Sequence, residues 1–369
     1  MGGIQAGASM DIGLIIYGEL ETLTGGYLYD RKLVDHLRAQ GDRVEVISLP
    51  WRGYGRHLAD NLSGSLLRRL EEAKFDVLIQ DELNHPSLFL LNLRLKNRAR
   101  YPIVTLVHLL RCSESRPAWL NRMYAAVERR YLKTVDGAVF NSNTTRATVR
   151  QLIGRDISGV VAYPGRDHLD YGLPMDGTAQ QARRTGPLRV IFLANVLPGK
   201  GLNTLIDALS QMPRSSWRLM AVGSLTMDPS FSQSIRNQIV RAGLSDNVEL
   251  VGAVPNDEIP GYLVRNHVLV VPSRYEALGI AYLEAMGFGL PVIATSAGGA
   301  HEIISHGEAG FLTSPGDVDM LARYLRQINQ DRDQLLKMSL AAYKRAGSHP
   351  TWDQSFARVR DFLQSLIGN

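Results

Sequence analysis

Cysteine is almost absent from this chain of 369 residues, which contains only Cys112. A single cysteine excludes an intrachain disulfide and a four-cysteine zinc site, and it favours a reducing compartment such as the cytoplasm. Long apolar runs are also missing. The longest uncharged stretch, residues 285–301, contains four glycines and Pro291, so it does not have the character of a membrane-spanning helix.

A secretory leader is not expected either. Residues 1–9 are rich in glycine and alanine and lack the basic residues that begin a signal peptide. We expect the native chain to start at Met10. Hydrophobic residues make up 45% of the chain and charged residues 21%, which is the composition of a globular enzyme and not of a disordered protein.

Acidic residues are scarce in one part of the chain. Residues 91–150 hold twelve Lys and Arg against three acidic residues, whereas residues 201–369 hold 14 basic and 16 acidic residues. The surplus fits an ordinary solvated surface, and it also fits an anionic partner such as acidic lipid headgroups. The second interpretation predicts peripheral binding of residues 91–150 to the inner face of a membrane. Nucleic acid is not an expected partner.

Short apolar runs alternate with amphipathic segments along most of the chain. Residues 11–17 predict a buried strand, a loop with Gly25 and Gly26 follows, and residues 27–40 predict a helix. Such alternation is typical of βαβ units and a parallel sheet. The rhythm is lost over residues 168–188, where we expect an interdomain linker, and it then resumes.

The predicted architecture is therefore α/β, with two Rossmann-like domains. Residues 10–170 form the first domain and residues 185–350 form the second, and residues 352–369 contain a predicted C-terminal helix. Ligands of such sheets bind at the carboxyl ends of the strands, so we expect the active site in the cleft between the two domains.

Two glutamates follow the predicted strand 268–271. Glu276 lies in a loop, and Glu284 lies in a predicted helix over residues 278–287. The free N–H groups near Leu278 and Gly279, at the start of this helix, are suited to binding a diphosphate. Two glutamates eight residues apart are common by chance, so the spacing alone leaves open that they have no joint role.

The surrounding sequence resembles the retaining glycosyltransferases of family 4, which have the GT-B fold and an E-x7-E motif. The resemblance runs through the whole second half of the chain and is thinner in the first half. It implies that the C-terminal helix 352–369 joins the first domain. In the second half it includes Glu276, Glu284-Ala285-Met286, Gly289 to Thr295, Gly298-Gly299, Glu302, Pro198 to Leu202 and Asn247 to Gly252. In the first half it includes Gly25-Gly26, His108 and Asn141-Ser142.

The resemblance implies roles for individual residues. Glu284 would bind the donor ribose and Glu276 the transferred sugar. Lys200 would pair with the donor phosphates and offset the charge that develops on the leaving diphosphate. The family usually has an arginine five residues before this lysine, but Asn195 stands here and offers a hydrogen bond without charge. Arg274 is a candidate substitute.

Further roles follow from the same resemblance. His108, at the end of a predicted strand, would lie near the donor sugar; the alternative is a buried histidine with a backbone partner. Gly25 and Gly26 would let the backbone approach the diphosphate or the acceptor. His85 is a candidate acceptor-side residue. Loops that contain Ser224 and Val254 are expected to contact the donor base.

Metal and cofactor motifs give little support to other chemistries. The Asp-x-Asp strings at Asp317 and Asp331 each lie near a predicted helix start, where aspartate is favoured as a cap, so no metal is expected. The sequence lacks the glycine-rich dinucleotide motif, the P-loop and the nucleophile elbow of hydrolases. No cofactor is expected, because the donor nucleotide sugar is itself a substrate.

The sequence thus predicts a metal-independent retaining glycosyltransferase. It would move a hexosyl unit from a UDP- or GDP-linked sugar to a hydroxyl of a glycan, a lipid-linked sugar or a small molecule. Two alternatives stay open. One is an epimerase or phosphorylase on the same fold, and the other is a catalytically weak protein that binds a glycan or a membrane as a partner. Asn195 in place of arginine favours the latter.

Overall fold

A computed structural model describes residues 9–22, 24–96, 98–114, 116–169 and 175–367. The chain divides into two compact units. The first comprises residues up to Pro164 together with the segment from Thr351 to the end, and the second comprises Gly165–Pro350.

The first unit is built on a six-stranded parallel sheet. Its strands are β1 (Asp11–Tyr17), β2 (Arg43–Leu49), β3 (Val77–Asp81), β4 (Ile103–Val107), β5 (Gly137–Phe140) and β6 (Gly159–Val161). They follow the order β2-β1-β3-β4-β5-β6. The strand order reverses between β1 and β3, and a reversal of this kind opens a crevice at the carboxyl ends of the strands.

Six helices surround this sheet in the described residues up to Pro164. They are α1 (Gly25–Ala39), α2 (Tyr54–Asp60), α3 (Gly64–Glu72), α4 (His85–Leu95), α5 (Ala118–Leu132) and α6 (Asn143–Ile153). Helix α1 starts earlier than predicted because the hydroxyl of Thr24 accepts a hydrogen bond from the backbone N–H of Tyr27. Gly25 and Gly26 therefore form the first turn of the helix and not the preceding loop.

The second unit has a sheet of the same kind. Its strands are β7 (Leu188–Leu193), β8 (Trp217–Val222), β9 (Val248–Gly252), β10 (Val268–Val271), β11 (Val292–Thr295) and β12 (Gly310–Thr313). The order is β12-β11-β10-β7-β8-β9, so the reversal lies between β7 and β10. All four residues of β10 are buried, which explains the continuous apolar run in its sequence.

Eight helices belong to the second unit in the described part of the chain. They are α7 (Met175–Ala182), α8 (Leu202–Ser210), α9 (Pro229–Arg241), α10 (Ile259–Leu263), α11 (Ile280–Gly287), α12 (Ala300–Ile303), α13 (Val318–Gln330) and α14 (Arg332–Gly347). Helix α7 lies within the predicted linker, of which residues 170–174 fall outside the described residues. It packs on α14, and the amide of Gln181 donates to the carbonyl of Asn266. The second unit therefore begins before the predicted residue 185.

The last helix, α15 (Trp352–Ile367), belongs to the first unit. Phe356, Val359 and Leu363 are buried on the face that meets α1. An ion pair between Arg360 and Asp42 (2.8 Å) adds a polar contact at the same place. Among the described residues, no helix combines the length and the apolar character that crossing a bilayer requires.

Candidate functional site

The strand-order reversal of the second unit brings two predicted residues into direct contact. Lys200 ends a short 3-10 helix after β7, and Glu276 lies in the loop between β10 and α11. The Nζ atom of Lys200 lies 2.6 Å from Oε2 of Glu276. Their side chains are 32% and 19% exposed, so the pair is reachable from solvent. Sequence reasoning predicted both residues but not that they form an ion pair.

Close backbone contact holds the two loops together. Gly201 has a φ of +77°, and a Cβ atom there would lie 2.2 Å from the carbonyl oxygen of Pro272. The backbone N–H of Arg274 donates to the carbonyl of Gly199 at 2.8 Å. Only glycine permits this approach at position 201, so the loop after β7 can lie directly on the loop after β10.

The backbone of Glu276 is fixed from its other side by the loop after β11. Its N–H donates to the carbonyl of Ala297 (3.1 Å), and its carbonyl accepts from the N–H of Gly299 (2.9 Å). Gly298 has a φ of +100°, and a Cβ atom there would lie 1.9 Å from the carbonyl oxygen of Glu276. The main chain that carries the Glu276 carboxylate is thus set by its neighbours, as a preorganised site requires.

The N-terminus of α11 lies at the end of the same loop. The helix begins at Ile280 with Gly279 as its N-cap (φ +96°), two residues later than predicted. No side chain of the described residues caps it, so its first N–H groups are suited to an anionic ligand. Leu278 is only 2% exposed, and its side chain belongs to the core.

Glu284 lies one turn further along α11 and is buried. It is 7% exposed, and burial raises the pKa of its carboxyl group to about 7. The Nε2 atom of His168 lies 3.8 Å from Oε1 of Glu284. A carboxyl group that titrates near neutral pH can donate or accept a hydrogen bond, which fits a hydroxyl-bearing ligand. His168 was missed because nothing near it in the sequence matches a motif.

Asn195 braces two loops of the second unit. Its Oδ1 atom accepts a hydrogen bond from the N–H of Ser224 at 3.0 Å, and the N–H of Val196 donates to the carbonyl of Ser224. This links the loops after β7 and β8. Val254, in the loop after β9, is half-buried, and Arg274 is exposed. Contacts of these residues with a donor stay predictions.

The first unit places His108 beside two buried carboxylates. Its Nε2 atom lies 2.8 Å from Oδ1 of Asp30, a fully buried residue of α1, and Asp81 ends β3 nearby. Burial lowers the pKa of His108, but the charge and hydrogen bond of Asp30 outweigh it, with help from Asp81, so the net pKa is raised. A Cβ atom on Gly26 would lie 3.4 Å from the His108 ring.

The partner of His108 is thus a carboxylate and not the backbone group considered above. Sequence reasoning missed Asp30, although a signal was present. Asp30 lies three residues from Tyr27 and from Leu33 on the buried face of α1. An acidic residue at helical spacing among buried residues indicates an internal ion pair.

His85 occupies a position different from the predicted one. The residue is fully buried, its Nε2 lies 3.0 Å from the hydroxyl of Tyr54, and its Nδ1 lies 3.0 Å from the carbonyl of Glu82. Burial lowers the pKa of His85 to about 3, so the ring is neutral. The structure therefore does not present this ring to an acceptor, because both nitrogens already have partners inside the unit.

The Asp-x-Asp strings act as helix caps. Asp317 accepts from the N–H of Met320 at the start of α13, and Asp331 accepts from the N–H of Gln334 at the start of α14. Within the described residues, two other groups place possible metal-ligating atoms within 4.8 Å of one another. They are Asp30, Asp81 and His108, and Glu82, His85 and Glu128.

Comparisons with known proteins agree with this architecture. Residues 178–345 match the family described as glycosyl transferases group 1, and residues 19–165 match the glycosyl transferase 4-like domain. Sucrose-phosphate synthase from Thermosynechococcus elongatus has a similar structure, with a TM-score of 0.83, 20% identity and coverage of 98% of this chain and 100% of that one. Anabaena HepE, solved with UDP and glucose, has a TM-score of 0.74 at 22% identity over 97% and 100%.

A curated relative is the GDP-mannose-dependent alpha-(1-6)-phosphatidylinositol monomannoside mannosyltransferase of Mycobacterium tuberculosis. It is 29% identical over 252 residues, which are 65% of this chain and 64% of the relative. The structural neighbours share the GT-B fold with this chain, and the alignment with the curated relative spans less than two thirds of the relative's length. The predicted α/β fold class is confirmed.

Proposed function

We propose that this chain is a retaining glycosyltransferase whose second unit binds a nucleoside-diphosphate sugar. The ion pair between Lys200 and Glu276 at the strand-order reversal is the observation that carries this proposal. It supplies one cation and one carboxylate where a doubly wound sheet binds its ligand. The relatives support the class of activity, since those that align with about two thirds of the chain include mannosyltransferases.

The diphosphate would be held without a metal. Lys200 would exchange Glu276 for the diphosphate, and the uncapped N-terminus of α11 would supply further N–H donors. Glu276 would then be released to accept hydrogen bonds from hydroxyls of the transferred sugar. Because Lys200 faces charge that grows on the leaving group, its contribution is larger in the transition state than in the bound donor.

Glu284 would bind the ribose hydroxyls. Its carboxyl group is buried in α11, and burial raises its pKa to about 7. With no acidic nucleophile assigned, retention would result from attack of the acceptor hydroxyl on the face that the diphosphate leaves, and the hydroxyl would pass its proton to the departing diphosphate. His108 is proposed to assist in the reaction, and its hydrogen bond with Asp30 supports a positioned imidazole.

A nucleotide-binding measurement tests the donor site. Thermal unfolding of the wild type is compared with and without UDP, GDP and ADP, and a ligand at about 100 times its Kd stabilises by about 2.7 kcal/mol. We expect UDP or GDP to raise the Tm of the wild type and of Lys337→Ala, which removes an exposed lysine of α14. The Lys200→Ala variant should lose the shift. An equal shift in Lys200→Ala, or no shift with any nucleotide, contradicts the proposal.

Product analysis separates the remaining alternatives. A transferase releases the nucleoside diphosphate faster when an acceptor is added, and the anomeric configuration of the product reports retention. An epimerase changes the sugar without an acceptor, and a phosphorylase requires inorganic phosphate. A catalytically weak binding partner binds nucleotide without turnover.

We also propose that the first unit binds anionic membranes through the outer face of α5. Trp119 and Met123 are 68% and 45% exposed on this helix. The face also carries four exposed cations, none of which forms an ion pair with a described residue: Arg122, Arg129, Arg130 and Lys133. Cations near an anionic surface contribute about 1 kcal/mol each, so four are enough for reversible binding. The mycobacterial relative, named for a phosphatidylinositol-linked acceptor, supports a lipid-linked substrate.

A further inference from the structure

We propose that Trp51 is a platform on which a pyranose ring of the acceptor stacks, with the ion pair of Arg52 and Asp60 at its border. The juxtaposition of an exposed indole, a glycine beneath it and a charged pair beside it carries the inference. It rests on the proposed function in one respect, since it names the chemical class of the acceptor: a carbohydrate that presents a ring face.

The indole is supported without being buried. Trp51 follows β2 by two residues and is 53% exposed. Gly18, which follows β1, has a φ of +61°, and a Cβ atom there would lie 2.7 Å from Cδ1 of the indole. The rings of Tyr17 and His57 lie 5.3 Å and 6.4 Å from the Trp51 ring, measured between centroids. Backbone and two rings therefore set the position of the indole.

Another exposed tryptophan lacks this support. Trp119 is 68% exposed on α5, and no ring of the described residues packs against it. A single exposed aromatic residue is ordinary on protein surfaces. An exposed ring that requires glycine at a neighbouring position is unusual. Glycine loses more conformational entropy on folding than other residues, so its use at that position lowers the stability of the fold. The packing around Trp51 therefore indicates that the indole is positioned to contact a ligand.

The border of the platform is polar on one side. Arg52 and Asp60 form an ion pair at 2.7 Å, with side chains 43% and 14% exposed. The backbone N–H of Arg52 donates to Nε2 of His57. A guanidinium group donates hydrogen bonds and a carboxylate accepts them, whereas a sugar hydroxyl does both. The pair thus matches neighbouring hydroxyls of a sugar, and the indole matches the apolar C–H face of its ring.

The location suits an acceptor site. Gly18 and Trp51 both follow strands at the carboxyl edge of the first sheet, beside the reversal between β1 and β3. The donor is assigned to the second unit, so an additional carbohydrate site on the first unit has no competing assignment. Nucleobases and lipid headgroups also contact tryptophan, and the experiment includes both.

Ligand binding without donor tests the platform. Saturation-transfer NMR is recorded with methyl glycosides of mannose, glucose and galactose for the wild type, Trp51→Ala, Trp51→Phe and the matched control Leu62→Ala, which removes another exposed apolar side chain of the first unit. We expect at least one glycoside to bind the wild type and Leu62→Ala. Its affinity should fall about tenfold in Trp51→Ala and less in Trp51→Phe, which keeps an aromatic face. Trp51→Phe also preserves the test if the alanine variant does not fold.

Several results would overturn the proposal. They are equal glycoside binding in Trp51→Ala, no glycoside binding to the wild type, loss of nucleoside binding in Trp51→Ala, and loss of sedimentation with anionic vesicles in Trp51→Ala. The Tm shift with nucleoside diphosphates is measured on the same variants. If that shift persists while glycoside binding is absent, the acceptor assignment fails and the donor site stands; if the shift is absent in the wild type, the donor proposal fails instead.

Discussion

Replacing Glu284 by glutamine should make the stability of the second unit less dependent on pH. Burial raises the pKa of this carboxyl group from 4.5 in the unfolded chain to about 7. The folded state therefore holds the proton more tightly than the unfolded state does. Stability from this group is complete below about pH 4.5 and is lost as the pH rises through 7, because the carboxylate must then be buried with its charge.

The size of the effect follows from the shift. Each pKa unit corresponds to about 1.36 kcal/mol, so the full loss is about 3 kcal/mol, of which about 2.5 kcal/mol falls between pH 5 and pH 8. Glutamine resembles the protonated acid in shape and never ionises. We expect Glu284→Gln and the wild type to be similarly stable at pH 5. At pH 8 the variant should be more stable by about 2.5 kcal/mol.

Urea unfolding of the second unit measures this difference. Trp217 is fully buried in that unit, whereas the chain's other tryptophans belong to the first unit. A background with Trp51, Trp119 and Trp352 replaced by phenylalanine therefore reports the second unit by Trp217 fluorescence. His168 lies 3.8 Å from Glu284 and histidine titrates in the same range, so His168→Gln is measured beside it.

The exposed residue Glu308 provides the matched control, since Glu308→Gln should follow the wild type at every pH. If the free energies of unfolding of Glu284→Gln and the wild type differ by the same amount at pH 5 and pH 8, the assigned burial energy is refuted. If the pH dependence disappears in His168→Gln instead, the titrating group is the histidine and not Glu284.

Three further predictions concern other parts of the chain. Turnover of the donor should continue in excess EDTA. If EDTA abolishes turnover and Mn²⁺ or Mg²⁺ restores it, a metal ion holds the diphosphate. The protein should sediment with anionic vesicles at low salt and not at high salt, because screening weakens exposed charges beyond about 8 Å at physiological ionic strength. The double variant Arg129→Glu with Arg130→Glu should abolish this sedimentation. Sedimentation that depends neither on salt nor on these two charges would exclude the α5 face as the membrane-binding surface. Asp30→Asn should lower the pKa of His108 in NMR titration, and an unchanged pKa would mean that Asp30 does not hold the ring charge.

Most of the fold was predictable because buried parallel strands have continuous apolar sequences. The boundaries of the helices were less predictable. At α1 the helix starts two residues before the predicted start of its pattern, because Thr24 supplies the cap. At α11 the helix starts two residues later, because Gly279 has a left-handed backbone. Capping depends on one hydrogen bond or one φ angle, which hydrophobic periodicity does not report.

Helix α7 shows why the predicted linker differs from the structure. Its segment has few apolar residues, and periodicity therefore predicted a loop. The helix is held by packing on α14 and by polar contacts of Gln181 with the carbonyls of Leu263 and Asn266. These partners are more than 80 residues away in sequence. Tertiary contacts of this kind override weak local preference and leave no local pattern.

The candidate site residues were singled out one at a time and not as a set of pairs. Motif resemblance singled out Lys200, Glu276 and His108, and the structure gives each a charged partner. The partner of Lys200 is 76 residues away and that of His108 is 78 residues away. Loop backbone contacts place the first pair, whereas α1 places the second, and neither arrangement follows from sequence spacing.

The two pairs, Lys200 with Glu276 and His108 with Asp30, have a similar position in the fold, which bears on the proposed chemistry. Each lies near the carboxyl edge of its own sheet, where strand-order reversal leaves room for a ligand. An unpaired charge in such a partly buried place would be costly, so Lys200 is compensated by Glu276, and Asp30 compensates His108. The exposed pair can exchange partners when a diphosphate arrives. The buried Asp30 cannot leave, so its hydrogen bond fixes the orientation of His108 and keeps the pKa of that ring raised.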